Sequence, residues 1–223
     1  MNKALFAFLV SLVPAALLHA QTLSPPEVVI PAEAAWTVDI TYHDTAKADT
    51  GKAPTQPKRV RIEAARTGDV SRYRTTWSNG RITEDWTTEK FVLCQDASTG
   101  KIAVFLIGGS IASYDAFDQS VFNWMQAGGE KISRDTYLGK ACIHVIKALG
   151  SAPASDGGAP ALFSQQAWVD EKTHMPVAYN DMQALYAFTF QSPPTAPLVP
   201  PQQYQAVMDD FVKARTVPKR LGY

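Results

Sequence analysis

The sequence predicts a mainly β protein of the α+β class, in which a curved antiparallel sheet is combined with one inserted helix and one C-terminal helix. Three observations predict this class. Apolar and polar residues alternate with a period of two in several stretches, turn residues separate these stretches, and two segments carry apolar residues at helical spacing. After removal of a short leader, residues 21–223 are expected to form a single domain.

The first 20 residues have the pattern of a secretory signal peptide. A cationic start with Lys3 precedes an apolar run from Ala4 to Leu18, and cleavage is expected after Ala20. The run is short for a membrane span and is interrupted by Pro14, which favours cleavage over an uncleaved anchor. No cysteine follows the cleavage region, so an acylated lipoprotein terminus is not expected. The mature chain is predicted to be periplasmic or secreted, with no stable membrane span.

The charges of the chain balance, with 21 lysines and arginines against 21 aspartates and glutamates. No run of basic residues suggests a surface that follows a phosphate backbone. We therefore expect no nucleic-acid partner, and we expect a monomer.

The first strand is predicted at residues 36–42, where one face carries Trp36, Val38, Ile40 and Tyr42. A polar loop at 43–57 separates it from a second strand at 58–64. This loop is long for a hairpin, and its composition favours mobility over function.

Two tryptophans flank the strongest turn signal in the chain. Asn79-Gly80 tolerates the positive φ angles of a type I′ turn, which predicts a two-residue β-hairpin. Trp77 and Trp86 would then lie near each other on sheet faces. Further strands are predicted at 91–96 and 101–107, and the continuous apolar run of the second predicts a strand covered on both sides. The successive hairpins indicate an antiparallel meander.

The pattern changes at Asp115, after which apolar residues recur at helical spacing: Phe117, Val121, Phe122, Trp124 and Met125. Such a stripe must cover something, and an aromatic sheet face is the expected surface. Gly108-Gly109 precedes the segment and Gly128-Gly129 follows it. Glycine pairs at both ends would serve as flexible joints, so the segment has the make-up of a lid.

The second half of the chain returns to extended structure, with strands predicted at 141–146, 162–170, 175–179 and 184–190 and a mobile loop at 151–160. The last strand alternates, which places Tyr186, Phe188 and Phe190 on one face. Prolines then end the sheet. A final helix is predicted at 201–215, with an apolar stripe of Tyr204, Val207, Met208, Phe211 and Val212.

The two cysteines, Cys94 and Cys142, lie in predicted strands of a chain bound for an oxidising compartment. We expect a disulfide between them. Closing a loop of about 50 residues would stabilise the fold by roughly 4 kcal/mol. The alternative is two buried thiols that do not pair. A catalytic thiol is less favoured, because neither cysteine lies in a nucleophile motif.

Catalytic chemistry has little support in the sequence. His43, His144 and His174 form neither a zinc-binding pair at helical spacing nor a Cys-His cluster. Two pairs of aspartates are better explained by helix capping and solvation than by acid-base catalysis: Asp115 with Asp118, and Asp209 with Asp210. We predict no enzyme activity, no metal site and no cofactor.

The stretch Trp168-Val169-Asp170, followed by Thr173, Pro176 and Val177, forms a short motif. With the order of the predicted elements, it resembles periplasmic lipoprotein carriers of the LolA/LolB-like type over most of the mature chain. The resemblance implies a half-open β-barrel whose concave side accepts acyl chains under lid helices. A lipid or lipoprotein is the ligand that it implies.

The chain departs from those carriers in two places. Pro25, Pro26 and Pro31 stand where the carriers begin with an amphipathic helix, and the terminal helix is an addition. No arginine here is matched to the carriers' functional arginine. The resemblance therefore implies a divergent member.

Two functions of different classes stay open. The first is a carrier that holds an apolar ligand in the concave face, with the candidate residues Trp36, Trp77, Trp86, Phe117, Val121, Trp124, Met125, Tyr186 and Phe188. The second is a non-enzymatic interaction or scaffold protein of the cell envelope, with a filled core. Aromatic residues at strand spacing are also typical of an ordinary core. An open apolar pocket would favour the carrier, and a core packed to normal density would favour the scaffold.

Overall fold

The computed structural model describes residues 23–43, 57–107, 119–151 and 162–216. The predicted signal peptide, Gly108-Gly109, Phe117 and most of the two predicted loops at 43–57 and 151–160 lie outside the described residues. The described strands are β1 Glu33–Tyr42, β2 Arg59–Thr67, β3 Val70–Trp77, β4 Ile82–Thr87, β5 Phe91–Gln95, β6 Ile102–Leu106, β7 Lys131–Tyr137, β8 Lys140–Ser151, β9 Leu162–Asp170, β10 Pro176–Asn180 and β11 Ala184–Gln191. The described helices are a 3₁₀ helix, Gln119–Gln126, and an α-helix, α1, Gln202–Thr216.

The strands form one antiparallel sheet in the order β6-β5-β4-β3-β2-β1-β11-β10-β9-β8-β7. The chain therefore meanders outward from β1 to one edge, continues past the 3₁₀ helix to the other edge, and meanders back until β11 pairs with β1. Strands β6 and β7 stand at opposite edges, so the sheet is open. The predicted fold class, a curved antiparallel sheet with an inserted helix and a C-terminal helix, is confirmed.

The sheet has an inner face, defined here as the face that carries Trp36. In the paired registers, Trp36 lies opposite Phe190 of β11 and Ala64 of β2, and Val38 lies opposite Phe188. Alternation in β1 and β11 is therefore as predicted. The main core cluster lies on this face, and it draws buried residues from β1, β2, β3, β8, β9, β10 and β11. Because strands at such a distance in the sheet order share one cluster, the inner face is concave.

The 3₁₀ helix packs on the inner face, and its burial follows a period of three. Phe122 and Met125 are buried, Val121 and Trp124 are half-buried, and Asn123 is exposed. A 3₁₀ helix has three residues per turn, so residues i and i+3 lie on one side. Within the described residues the predicted helix is therefore a 3₁₀ helix, and Phe122 and Met125 face the sheet as predicted.

The outer face carries α1. Tyr204 of α1 is fully buried and clusters with Trp86 and Leu93, while Met208 packs at the margin of this cluster. The predicted terminal helix is present, and its stripe faces the sheet at its N-terminal end. Val212, at the other end of the stripe, is 43% exposed.

The Asn79-Gly80 turn differs from the prediction by one residue. Trp77 and Arg81 close the loop through a backbone hydrogen bond of 2.9 Å, so the loop holds three residues, and of these Gly80 has a positive φ of 79°. The two-residue turn with two positive φ angles is found instead at Leu138-Gly139, between β7 and β8.

The expected disulfide is wrong. Cys94 lies in β5 and Cys142 in β8, and no bond joins them. Seven strands stand between β5 and β8 in the sheet order, and the alternation of side chains places the two sulfurs on opposite faces. Cys142 packs instead with Trp168 on the outer face, and its thiol donates a hydrogen bond to the carbonyl oxygen of Lys140.

Two strand predictions also need correction. β6 was expected to be covered on both sides, but it is an edge strand in which Leu106 is 42% exposed. β7 was not predicted, because its mostly exposed residues show no apolar alternation. A polar edge strand is defined by its neighbour β8 and not by its own pattern.

Candidate apolar binding surface on the inner face

An aromatic floor lies beneath the 3₁₀ helix. Phe122 contacts Tyr179 edge-on, with ring centroids 5.8 Å apart, and Phe188 at 6.0 Å. Tyr179 stacks on Tyr186 at 5.6 Å. The floor thus joins β10 and β11, and the helix side chains complete its packing.

Trp124 lies at the margin of this contact. Its ring is 6.4 Å from the ring of Tyr179, and the residue is half-buried. The indole nitrogen is buried and has no hydrogen-bond acceptor among the residues that the structure describes. Gly128 and Gly129 follow with φ angles of 87° and 85°, which a residue with a Cβ adopts only with strain.

The segment before β1 closes one end of the inner face. Val28 and Ile30 are buried in the same core cluster as Phe122. The side-chain amide of Gln126 donates a hydrogen bond of 3.2 Å to the carbonyl oxygen of Pro26, which ties the end of the 3₁₀ helix to this segment. The proline-rich lead-in of the sequence therefore has a packing role.

Trp36 stands at this closed end. Its ring stacks on Phe190 at 6.1 Å and meets Tyr73 edge-on at 6.4 Å. The guanidinium carbon of Arg66 lies 5.7 Å from the ring centroid, and the Arg66 Nε donates a hydrogen bond of 3.2 Å to Ser71 Oγ. This end is aromatic and carries a positive charge.

Tyrosines gather at the opposite end. Tyr179 accepts a hydrogen bond of 3.1 Å from the Gln165 amide through its hydroxyl oxygen, and Lys58 Nζ lies 4.6 Å from the ring centroid of Tyr42. Burial raises the pKa of Tyr179 and, more strongly, that of Tyr186. Both phenols therefore stay protonated at neutral pH and act as neutral, mainly apolar groups.

The part of the inner face formed by β3 and β4 is polar. Thr75, Thr83 and Asp85 are buried there, and Trp77 donates its indole hydrogen bond of 3.0 Å to Thr83 Oγ1. The guanidinium carbon of Arg59 lies 5.6 Å from the Trp77 ring centroid. The inner face thus has an apolar half around β1, β10 and β11 and a polar half.

The predicted site residues are distributed over these regions. One core cluster contains six of them, namely Trp36, Val121, Trp124, Met125, Tyr186 and Phe188. Trp77 lies on the polar half, and Phe117 lies outside the described residues. Trp86 lies on the outer face, where it packs against Tyr204 at 6.2 Å, so it does not share a surface with Trp36.

The longer hairpin loop explains the position of Trp86. A two-residue loop at Asn79-Gly80 would pair Trp86 with Tyr73, which faces inward. The three-residue loop pairs Trp86 with Arg72 and places Asp85 opposite Tyr73. A shift of one residue in register moves every side chain of a strand to the other face.

Sequence reasoning missed Tyr179 and the charged partner Arg66. Tyr179 is in β10, where the first four residues are all buried and no alternation marks one face. Arg66 lies beyond the end of the predicted second strand. The longer β2, Arg59–Thr67, brings it to Trp36 through the pairing of Ala34 with Arg66.

A separate depression of about 490 Å³ opens on the outer side of the sheet beside α1. Val70, Phe91 and Met208 form its apolar walls, and Asp69, Glu89 and Lys90 stand around it. It is remote from the aromatic floor, because it lies against α1 on the opposite face.

Among the described residues, no group of three or more His, Cys, Asp or Glu side chains could hold a metal ion. None of the helices in this part of the chain is long and apolar enough to span a bilayer.

Comparison with solved structures finds several similar chains, and one of them is described here. The lipoprotein LppX of Mycobacterium tuberculosis matches with a TM-score of 0.42 and 12% sequence identity, over 76% of this chain and 90% of LppX. No family model and no curated protein sequence matches the chain. A likeness at this level carries no argument about family, ligand or function. The resemblance to LolA/LolB-like carriers stays a prediction.

Proposed function

We propose that the protein is an exported binding protein that holds an apolar ligand, a lipid or an acyl chain, on its inner face. The observation that carries the proposal is the insertion of Phe122 and Met125 into the aromatic floor, where they are 2% and 1% exposed. The 3₁₀ helix occupies the apolar half of the concave face, in the place where an acyl chain would lie. The ligand would displace this helix.

The free energies permit such an exchange. An eight-residue 3₁₀ helix has little stability of its own, so packing on the floor holds it in place. Burial of one Phe and one Met side chain contributes about 1.5 to 3 kcal/mol each. A palmitoyl chain gains about 0.8 kcal/mol for each buried methylene, or about 12 kcal/mol in all. The gross gain of the ligand thus exceeds the loss of these two side chains, and the cost of association, on the order of 4 to 15 kcal/mol, is taken from the difference.

Saturable binding of a fluorescent fatty acid to the purified protein tests the proposal. Hydrogen–deuterium exchange with and without the fatty acid should show faster exchange at residues 119–130 and no change in β1 and β11. This pattern is expected because the ligand takes the place of the helix on an intact sheet. Absence of saturable binding would contradict the proposal.

A pair of variants on the helix makes the test sharper. Phe122→Ala weakens the packing of the helix on the floor, so it should increase the affinity for the fatty acid several-fold while it lowers stability. Asn123→Ala, on the exposed side of the same helix, is the matched control and should change neither. A loss of affinity in Phe122→Ala would mean that the helix forms part of the site and is not displaced.

The second candidate function is a non-enzymatic scaffold or interaction protein of the cell envelope. The 1% exposure of Trp36 supports it, because an ordinary core is packed to this degree. The burial of Phe122 and Met125 is expected for both functions and does not separate them. It predicts no saturable lipid binding and unchanged exchange at residues 119–130. The fatty-acid experiment therefore separates the two functions.

A further inference from the structure

We infer that the ligand carries a carboxylate or another anionic headgroup, which the indole N–H of Trp36 and the guanidinium of Arg66 receive at the closed end of the inner face. The inference rests on the proposed function and adds the class and the orientation of the ligand. The headgroup lies at Trp36, and the tail extends along β1 and β11 toward Tyr179.

The indole nitrogen of Trp36 is the first observation. The residue is 1% exposed, and its Nε1 is buried without an acceptor in the described part of the chain. A buried polar group that lacks a partner is uncommon in folded proteins, and it costs stability. Trp77, Trp86 and Trp168 each donate their indole N–H to an oxygen of the protein, whereas the buried Nε1 atoms of Trp36 and Trp124 have no acceptor among the described residues. Of these two indoles, Trp36 has the Arg66 guanidinium over its ring.

The second observation is the positive charge over the ring that carries this donor. The Arg66 guanidinium lies over the Trp36 ring and is positioned by its hydrogen bond to Ser71, which is itself 4% exposed. A cation over the face of a buried ring and an N–H donor at its edge are together suited to the oxygens of an anionic group. A neutral hydrocarbon end would leave the donor without a partner.

The geometry also sets the direction of the tail. Trp36 and Ile40 are four residues apart on the inner side of β1, a distance of about 13 Å along the strand. Ile40 pairs with Tyr186, which stacks on Tyr179 of the floor. An extended chain anchored at Trp36 therefore passes over Val38 and over Phe188, which Phe122 of the 3₁₀ helix contacts.

Three probes of equal chain length test the inference: palmitic acid, methyl palmitate and hexadecane, each measured by displacement of a bound fluorescent fatty acid. Palmitic acid should bind at least about 10-fold more tightly than hexadecane, with the uncharged ester weaker than the acid. Trp36→Phe keeps a ring and removes the N–H, so it should lower the affinity for palmitic acid about 10-fold and leave that for hexadecane unchanged. Trp86→Phe, on the outer face, is the matched control and should alter neither affinity.

Nuclear magnetic resonance of the wild-type protein gives a measurement that needs no variant. The indole N–H signal of Trp36, assigned through its contacts with Phe190 and Tyr73, should move downfield on addition of palmitic acid and not on addition of hexadecane. Equal binding of all three probes with an unmoved Trp36 signal would overturn the headgroup site and leave the apolar binding function in place. Failure of every probe to bind would overturn both.

Discussion

The hydroxyl of Tyr204 donates a hydrogen bond of 2.6 Å to the backbone carbonyl oxygen of Glu84. Glu84 lies just outside the part of β4 that is paired with β5, because this pairing reaches only to Trp86, opposite Leu93. The Glu84 N–H donates to Gln95 Oε1 at 3.0 Å, and the Gln95 N–H donates to Asp85 Oδ1 at 2.8 Å. Side chains thus replace the backbone partners that the interrupted ladder lacks.

Tyr204 is therefore expected to be the anchor of α1. Tyr204→Phe keeps the ring and leaves the Glu84 carbonyl oxygen without its donor, so it should lower the free energy of unfolding by about 1 to 3 kcal/mol. Tyr204→Ala also removes the buried ring and should cost about 3 to 5 kcal/mol. Urea denaturation measures both. Gln203→Ala, at an exposed neighbouring position, is the control, and a Tyr204→Phe variant as stable as this control would contradict the anchoring role.

Phe211 is expected to contribute less to the free energy of unfolding than its place in the apolar stripe of α1 suggests. The sequence alone would permit full burial and a cost of about 3 to 5 kcal/mol for Phe211→Ala. In the structure the ring is half-buried and meets Phe91 edge-on at 6.1 Å. We expect a loss of about 1 to 2 kcal/mol in urea denaturation. A loss equal to that of Tyr204→Ala would show that the C-terminal part of α1 is packed as tightly as its start.

Asp85 should make stability depend on pH. Burial raises the pKa of its carboxyl from 3.8 to about 6, against the opposing effects of the Gln95 N–H and the Arg59 charge. The folded protein therefore holds this proton more tightly than the unfolded chain. Its contribution to stability is fully present below pH 3.8 and is lost as the pH rises through about 6. The loss through this group should be about 2 to 3 kcal/mol.

Asp85→Asn tests this dependence, because an amide of similar shape does not ionise in this range. Urea denaturation across the acid-to-neutral range should show the difference in stability between the wild type and Asp85→Asn changing in favour of the variant as the pH rises through about 6. Asp69→Asn, at an exposed position on the β2–β3 turn, is the control. A constant difference across the range would rule out a raised pKa at Asp85.

The two cysteines should be recovered as thiols. Alkylation of the unfolded protein without a reductant should modify both Cys94 and Cys142. In the folded protein Cys142 should react slowly, because it is 1% exposed and burial raises the pKa of its thiol. Peptide mapping by mass spectrometry gives the result. A peptide linked through Cys94 and Cys142 would require strands that this sheet order keeps apart.

Local patterns in the sequence were sufficient to predict the strands with strong apolar–polar alternation. The strand around Trp36 and the strand with Tyr186, Phe188 and Phe190 each carry one apolar face, and a period of two in a single strand is a local property. The inward stripe of the 3₁₀ helix was also recognisable, since Phe122 and Met125 are three residues apart in the chain. These features are independent of which strands become neighbours.

Which of these faces meet follows from the pairing of strands that are distant in the chain. The pairing of β1 with β11 joins segments about 150 residues apart, and no local pattern encodes that choice. One additional residue in the loop after Trp77 moved Trp86 to the outer face, and the sheet order kept Cys94 from Cys142. The position of Arg66 over the Trp36 ring likewise depends on the register between β1 and β2, in which Ala34 pairs with Arg66. Local sequence sets which side chains are apolar and how they alternate. Their common surface depends on long-range pairing, because register and strand order follow from contacts across the whole sheet.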